Sequence, residues 1–110
     1  MQDNSSSVWD TETAAQLATV LAAIGDVQVM QNFLRDALTE KEIIEIGARL
    51  EAAKMLQQGK KYTEIIEKTK LSSRTIARIS GWMQNGSNGY ESALTIITLH
   101  QSHMSPARAV

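Results

Sequence analysis

The stretch YTEIIEKTKLSSRTIARISGWMQNG, Tyr62–Gly86, decides how the whole chain is read. The chain has a formal net charge of −1, yet six of its eleven basic residues fall within or just before this segment. From Gly59 to Gly86, Lys60, Lys61, Lys68, Lys70, Arg74 and Arg78 stand against Glu64 and Glu67, a local balance of +4 that leaves −5 on the rest. Such a separation offers a polyanion one face to approach and a body that repels it.

The same stretch predicts two short helices. Tyr62 to Thr69 carries Ile65 and Ile66 as its apolar side, and Ser72 is suited to cap a second helix through about Met83. Only Lys70-Leu71 or so separates them. A turn that tight crosses two helices steeply, and Leu71, Ile76 and Ile79 fall where a helix-turn-helix keeps its small shared core. The motif would cover about residues 62–84. Its second helix presents Ser73, Arg74, Ala77 and Arg78 outward, with Ser72 to Thr75 in the first turn, the part that reaches base edges in the major groove. Lys60, Lys61, Lys68 and Lys70 flank it as phosphate contacts. The competing reading is a solvated helix pair that binds nothing. Lys70 speaks for it mildly, because such turns often carry glycine at a left-handed position and another residue costs about 1 kcal/mol there.

Composition is consistent with one all-α domain. The 110 residues are 43% hydrophobic but only 5% aromatic, so a core must come from Leu, Ile, Ala, Val and Met, a helix-favouring set. Cysteine is absent, which excludes disulfides and thiolate chemistry. MQDNSSSVWDTE lacks the basic and apolar regions of a signal peptide, and no apolar run approaches the roughly 18 residues of a membrane span. A cytoplasmic protein with no membrane partner is expected.

Polar ends, residues 1–7 and 101–110, read as flexible tails around a helical domain over 8–100. Within it, Asp10 to Ile24 repeats Leu17, Val20, Leu21 and Ile24 at helical spacing, and Gly25 ends the run. Asp26 caps a second helix whose stripe is Val29, Met30, Phe33 and Leu34. Thr39 opens a third with a capping box to Glu42, running to about Gln58 before Gly59 and burying Ile43, Ile46, Leu50 and Ala53. After two Asn-Gly steps, YESALTIITLHQ resumes helical spacing as a sixth and last helix.

ALTEKEIIEIGARLEAAKMLQQGKKYTEIIEKTKLSSRTIARI resembles the core of the tryptophan repressor (TrpR) family, in particular its YerC/YecD-type branch, over roughly Leu38 to Tyr90. The resemblance implies a six-helix TrpR-like fold with a helix-turn-helix, intertwined as a homodimer whose leading helices, part of the third and the last form a shared core. It also implies a double-stranded DNA partner. Two-fold reading heads should lie one DNA turn apart, on the order of 34 Å, on a near-palindromic operator.

The family's ligand site divides. Its two corepressor-holding arginines match Arg49 and Arg78, and Thr39 matches another pocket residue; a guanidinium pair suits a planar aromatic anion. A small glycine and a serine of that pocket are replaced by Ile79 and Trp82, which fill space. Arg49 also has a simpler role as the i, i+4 partner of Glu45, and Trp82 follows Ile76 and Ile79 at a spacing that suits a core anchor. Trp9 is expected to pack with the first helix. His100 and His103 without a third ligand do not make a zinc site, and no hydroxyl has triad partners. No enzyme, cofactor or metal is expected, and no small-molecule effector is identified. Two function classes remain: a sequence-specific DNA-binding regulator, a repressor by resemblance and independent of tryptophan, or a helical homodimeric interaction module.

Overall fold

The computed structural model describes residues 7–109, with side chains as far as Gln101. Among them are six α-helices and no strand: α1 (Glu12–Ala23), α2 (Val27–Ala37), α3 (Glu40–Gln57), α4 (Tyr62–Thr69), α5 (Ser73–Asn85) and α6 (Gly89–Ala109). The all-α expectation holds, helix by helix.

Local chemistry accounts for the helix starts. Asp26 accepts the Val29 amide at 3.0 Å and so caps α2. At α3 the Thr39 hydroxyl accepts the Glu42 amide at 3.1 Å while the Glu42 carboxylate accepts the Thr39 amide at 2.9 Å, a reciprocal pair that satisfies two free donors. The first helix begins later than Asp10, because the Asp10 carboxylate accepts the Ser7 amide at 3.1 Å and Ser7 Oγ accepts the Trp9 amide at 3.1 Å. Those bonds close a 3-10 turn over Val8–Asp10 ahead of α1. Residues 1–6 of the expected N-terminal tail lie outside the described residues. At the other end α6 continues to Ala109, past the end expected near residue 100. No glycine follows Gly89, and Gln101, Met104, Ala107, Arg108 and Ala109 all favour helix, against Pro106 and the weaker formers Ser102, His103 and Ser105.

The chain divides into two compact units, one ending at Ile43 and one beginning at Ile44. In the first, neither α1 nor α2 has a buried residue. Leu17 and Val20 are exposed, and Leu21, Ile24, Met30, Phe33 and Leu34 are only half-buried. The stripes read from the sequence are present, but a single chain does not cover them.

The second unit has a true core. Ala52, Ala53 and Met55 of α3 meet Ile65 of α4, Ile76 and Ile79 of α5 and Leu94 of α6, with Leu71 and Met83 packed against them. Two adjacent alanines let neighbouring helices approach closely, and no charged or polar residue is buried among the described residues. Leu71, Ile76 and Ile79 thus form the expected shared core of the tight helix pair. On α3, Ala53 is buried and Ile43 and Leu50 are half-buried as the stripe requires, but Ile46 is 56% exposed.

Two tryptophans depart from expectation. Trp82 is no core anchor: it is 62% exposed. At about 100° per residue Met83, not Trp82, stacks two turns above Ile76, and Trp82 is rotated off the core side. Trp9, 57% exposed, sits in the 3-10 turn instead of packing as part of α1.

Candidate nucleic-acid interface

The basic segment begins where α3 stops. Gly59, at φ 79°, donates to the Leu56 carbonyl, and Lys60 donates back to the Met55 carbonyl, each at 3.0 Å. This pair of bonds is the full Schellman ending, which needs a left-handed residue and finds the least strained one in glycine. It turns the chain so that Lys60 and Lys61 stand at the start of α4, where the Glu64 carboxylate accepts the Lys61 amide at 2.9 Å.

Helix α4 ends differently. Lys70 takes the left-handed conformation, φ 64° and ψ 13°, with its amide donating to the Ile66 carbonyl at 2.8 Å. Two residues on, Ser72 Oγ accepts the Thr75 amide and donates to Thr75 Oγ1, both at 3.1 Å, which caps α5 and commits the Ser72 proton.

Helix α5 then has two sides. Ile76 and Ile79 are buried, while Ser73, Arg74, Ala77 and Arg78 are exposed and Thr75 is half-buried. Lys60, Lys61, Lys68 and Lys70 are also exposed. No acidic residue lies in the first turn of α5, so its free amides and Arg74 add partial and full positive charge at one place. Lys68 is the exception among the lysines: its Nζ lies 3.9 Å from Glu51 Oε2, while Glu51 Oε1 holds Lys54 at 3.2 Å.

Four of the five residues matched to the family's ligand pocket come together. Arg49, Arg78, Ile79 and Trp82, with Thr75 and Tyr90, line a cleft of about 140 Å³. That is less than half of the roughly 300 Å³ at which small-molecule pockets begin. The Arg49 guanidinium is held by Glu45, Nη2 to Oε2 at 2.7 Å. Beside it Ile46, Arg49, Leu50, Trp82, Tyr90 and Ala93 line a larger, mainly apolar cleft of about 550 Å³. Thr39, the fifth residue, spends its hydroxyl on the α3 cap.

Sequence reasoning missed Glu51, Tyr90 and Thr69. The i, i+3 pair of Glu51 with Lys54 is legible in the sequence, but its reach to Lys68 on another helix depends on packing. Among the described residues no group of three His, Cys, Asp or Glu side chains could hold a metal ion, and no helix is long and apolar enough to cross a membrane.

Comparison with known proteins fits this geometry. The family model described as Trp repressor protein matches residues 12–97. The chain is 34% identical over 79 residues to YerC, an uncharacterised protein of Bacillus subtilis (strain 168), a match spanning 72% of this chain and 76% of that one. The crystal structure of a TrpR-like protein from Eubacterium eligens ATCC 27750 superposes with a TM-score of 0.76 at 30% identity, covering 82% of this chain and 93% of that one. A crystal structure of a protein from Staphylococcus aureus superposes with a TM-score of 0.75 at 25% identity, covering 84% of this chain and 96% of that one. With the family model spanning most of its length, and with its α4–α5 pair packed on α3, the chain belongs to the Trp repressor protein family.

Proposed function

We propose that this chain is a sequence-specific DNA-binding regulator, a repressor, that works as a homodimer in the cytoplasm and reads the major groove with α5. One observation carries the reading: Ser73, Arg74, Ala77 and Arg78 form the exposed side of a short helix whose other side, Ile76 and Ile79, is locked into the core. The α4 helix, the Lys70–Ser72 turn and α5 act as a helix-turn-helix, which holds such a side at a fixed angle to the duplex.

Within that reading Arg74 contacts a base edge, with Ser73, Ala77 and Arg78 beside it, and the Ser72–Thr75 cap brings the α5 amides to a phosphate. Lys60, Lys61 and Lys70 neutralise phosphates. Lys68 contributes less, because Glu51 shares its charge.

Dimerisation is supported by what one chain leaves uncovered. Val27 and Val29 on α2, Ile44 and Ile46 on α3 and Ile96 and Leu99 on α6 are all more than half exposed, apolar side chains that a partner would cover. A second copy, intertwined with the first, covers these side chains and sets two α5 helices about one DNA turn apart on a near-palindromic operator. Free tryptophan is not the effector, since Ile79 is part of the core and the space between the two arginines is small.

The same apolar surface favours a second reading, a helical interaction module whose dimer surface is its function. DNA affinity measured against salt separates the two. A regulator gives a log–log slope near −0.9 per phosphate contact, and an interaction module gives little binding at any salt.

A further inference from the structure

The two helix ends that flank α4 are built unequally. At Gly59 the ending is complete, with both the Gly59 and Lys60 amides returned to α3 carbonyls. At Lys70 only the single bond from Lys70 to Ile66 closes, so the Leu71 amide, on a half-buried residue packed against the core, has no backbone acceptor among the described residues. The Thr69 side chain takes it. Thr69 Oγ1 accepts the Leu71 amide at 3.2 Å and donates its own proton to the Ile65 carbonyl at 2.7 Å.

We infer that Thr69 is a positioning residue for the DNA-reading helix: its hydroxyl completes the α4–α5 turn in place of the glycine that the turn lacks. The inference rests on the DNA-binding reading above and adds a residue that touches no DNA. Three facts meet at this turn. Lys70 holds a left-handed backbone that a β-carbon disfavours, Thr69 ties the next amide back to α4, and Ser72 starts α5 only one residue after Leu71. The core packing of Ile76 and Ile79 holds α5 in place, and the Thr69 hydroxyl, accepting one bond and donating another, sets the path by which the turn enters it. Without it the Leu71 amide loses its acceptor, and the Ser72 cap of α5, the next residue, is free to shift with it.

The consequence is a loss of discrimination, not of charge. The probe is the duplex enriched by the parent protein from a random 30-base-pair library, compared with a scrambled duplex of the same composition. Thr69→Val, nearly the same shape without the hydroxyl, is expected to lower the enriched-to-scrambled affinity ratio tenfold or more. Affinity for the scrambled duplex and its salt slope should stay within about twofold, because no phosphate contact is removed. Thr69→Ser, which keeps the hydroxyl, should retain the parent ratio. Glycine at position 70 lets the turn close as it does at Gly59, with the following amide returned to a helix carbonyl and not to the Thr69 hydroxyl, so Thr69→Val/Lys70→Gly should match Lys70→Gly in this ratio. That second comparison decides the matter if Thr69→Val alone melts below the assay temperature. A parent-like ratio for Thr69→Val, an equal fall for Thr69→Ser, or a fall of Thr69→Val/Lys70→Gly below Lys70→Gly overturns the inference. Failure of the parent protein to enrich any sequence overturns instead the DNA-binding reading on which it stands.

Discussion

Arg49 Nη2 lies 2.7 Å from Glu45 Oε2, one turn earlier on α3. A charge-assisted bond of this length commits the guanidinium to a partner on its own helix. Any carboxylate ligand must displace Glu45 or share the arginine with it. With Arg78 it lines a cleft of about 140 Å³, below the roughly 300 Å³ at which small-molecule pockets begin.

The expected result of titrating millimolar L-tryptophan is therefore no saturable heat and no change in operator affinity. DNA binding should occur without any added amino acid. A saturable signal together with a tenfold gain in DNA affinity, about 1.4 kcal/mol of coupling, would show that the cleft opens and that the arginines still serve a corepressor.

Arg74→Ala should weaken binding to the preferred site by roughly 1–3 kcal/mol and relax preference at one base position. Lys60→Ala, Lys61→Ala and Lys70→Ala should each weaken all duplexes alike and reduce the salt slope by about one. Lys68→Ala should change the slope less than these do, since Glu51 already lies 3.9 Å from its ammonium. Binding profiles over a randomised operator measure both effects, and an unaltered preference for Arg74→Ala would move readout to Ser73, Ala77 or DNA shape.

Sedimentation at micromolar concentration should show a species of twice the 12.1 kDa chain mass. Helices α1 and α2 fully bury no residue within their own chain, and on the homodimer reading the second copy supplies the missing cover. A stably folded monomer would defeat the intertwined arrangement.

Ile76 is fully buried between helices, and Ile76→Ala should cost about 2–5 kcal/mol in denaturant unfolding. Ser72→Ala removes the α5 cap and should cost about 1 kcal/mol. Gly86→Ala belongs with these, because a β-carbon there would press on the Trp82 carbonyl oxygen and approach its Cε3 at 3.2 Å. If Gly86→Ala melted like the parent, the chain after α5 would have room that this geometry denies it.

What was legible in the sequence was local. The Asp26, Thr39 and Ser72 caps, the Gly59 stop and the Lys70 left-handed turn each depend on residues within five positions of one another, and each is found as read. So is the pairing of Glu45 with Arg49, one helical turn apart. Trp82 was misread because a three-residue step was taken as core spacing, although two such steps carry a residue well around the helix from Ile76. The reach of Glu51 to Lys68 and the place of Tyr90 beside Arg49 were invisible for another reason. Their partners come from helices far along the chain, and nothing in spacing reveals which helices meet.

The exposure of both tryptophans has an optical consequence. Trp9 and Trp82 are the only indoles in the chain, and each has more than half of its surface in water. The isolated chain should therefore emit as a red-shifted, easily quenched fluorophore, and any surface that closes over either ring should move the emission to the blue. The proposed assembly and DNA engagement can then be tested in unlabelled protein. Trp9→Phe and Trp82→Phe assign the signal to one end of the chain or to the helix that carries Arg74 and Arg78.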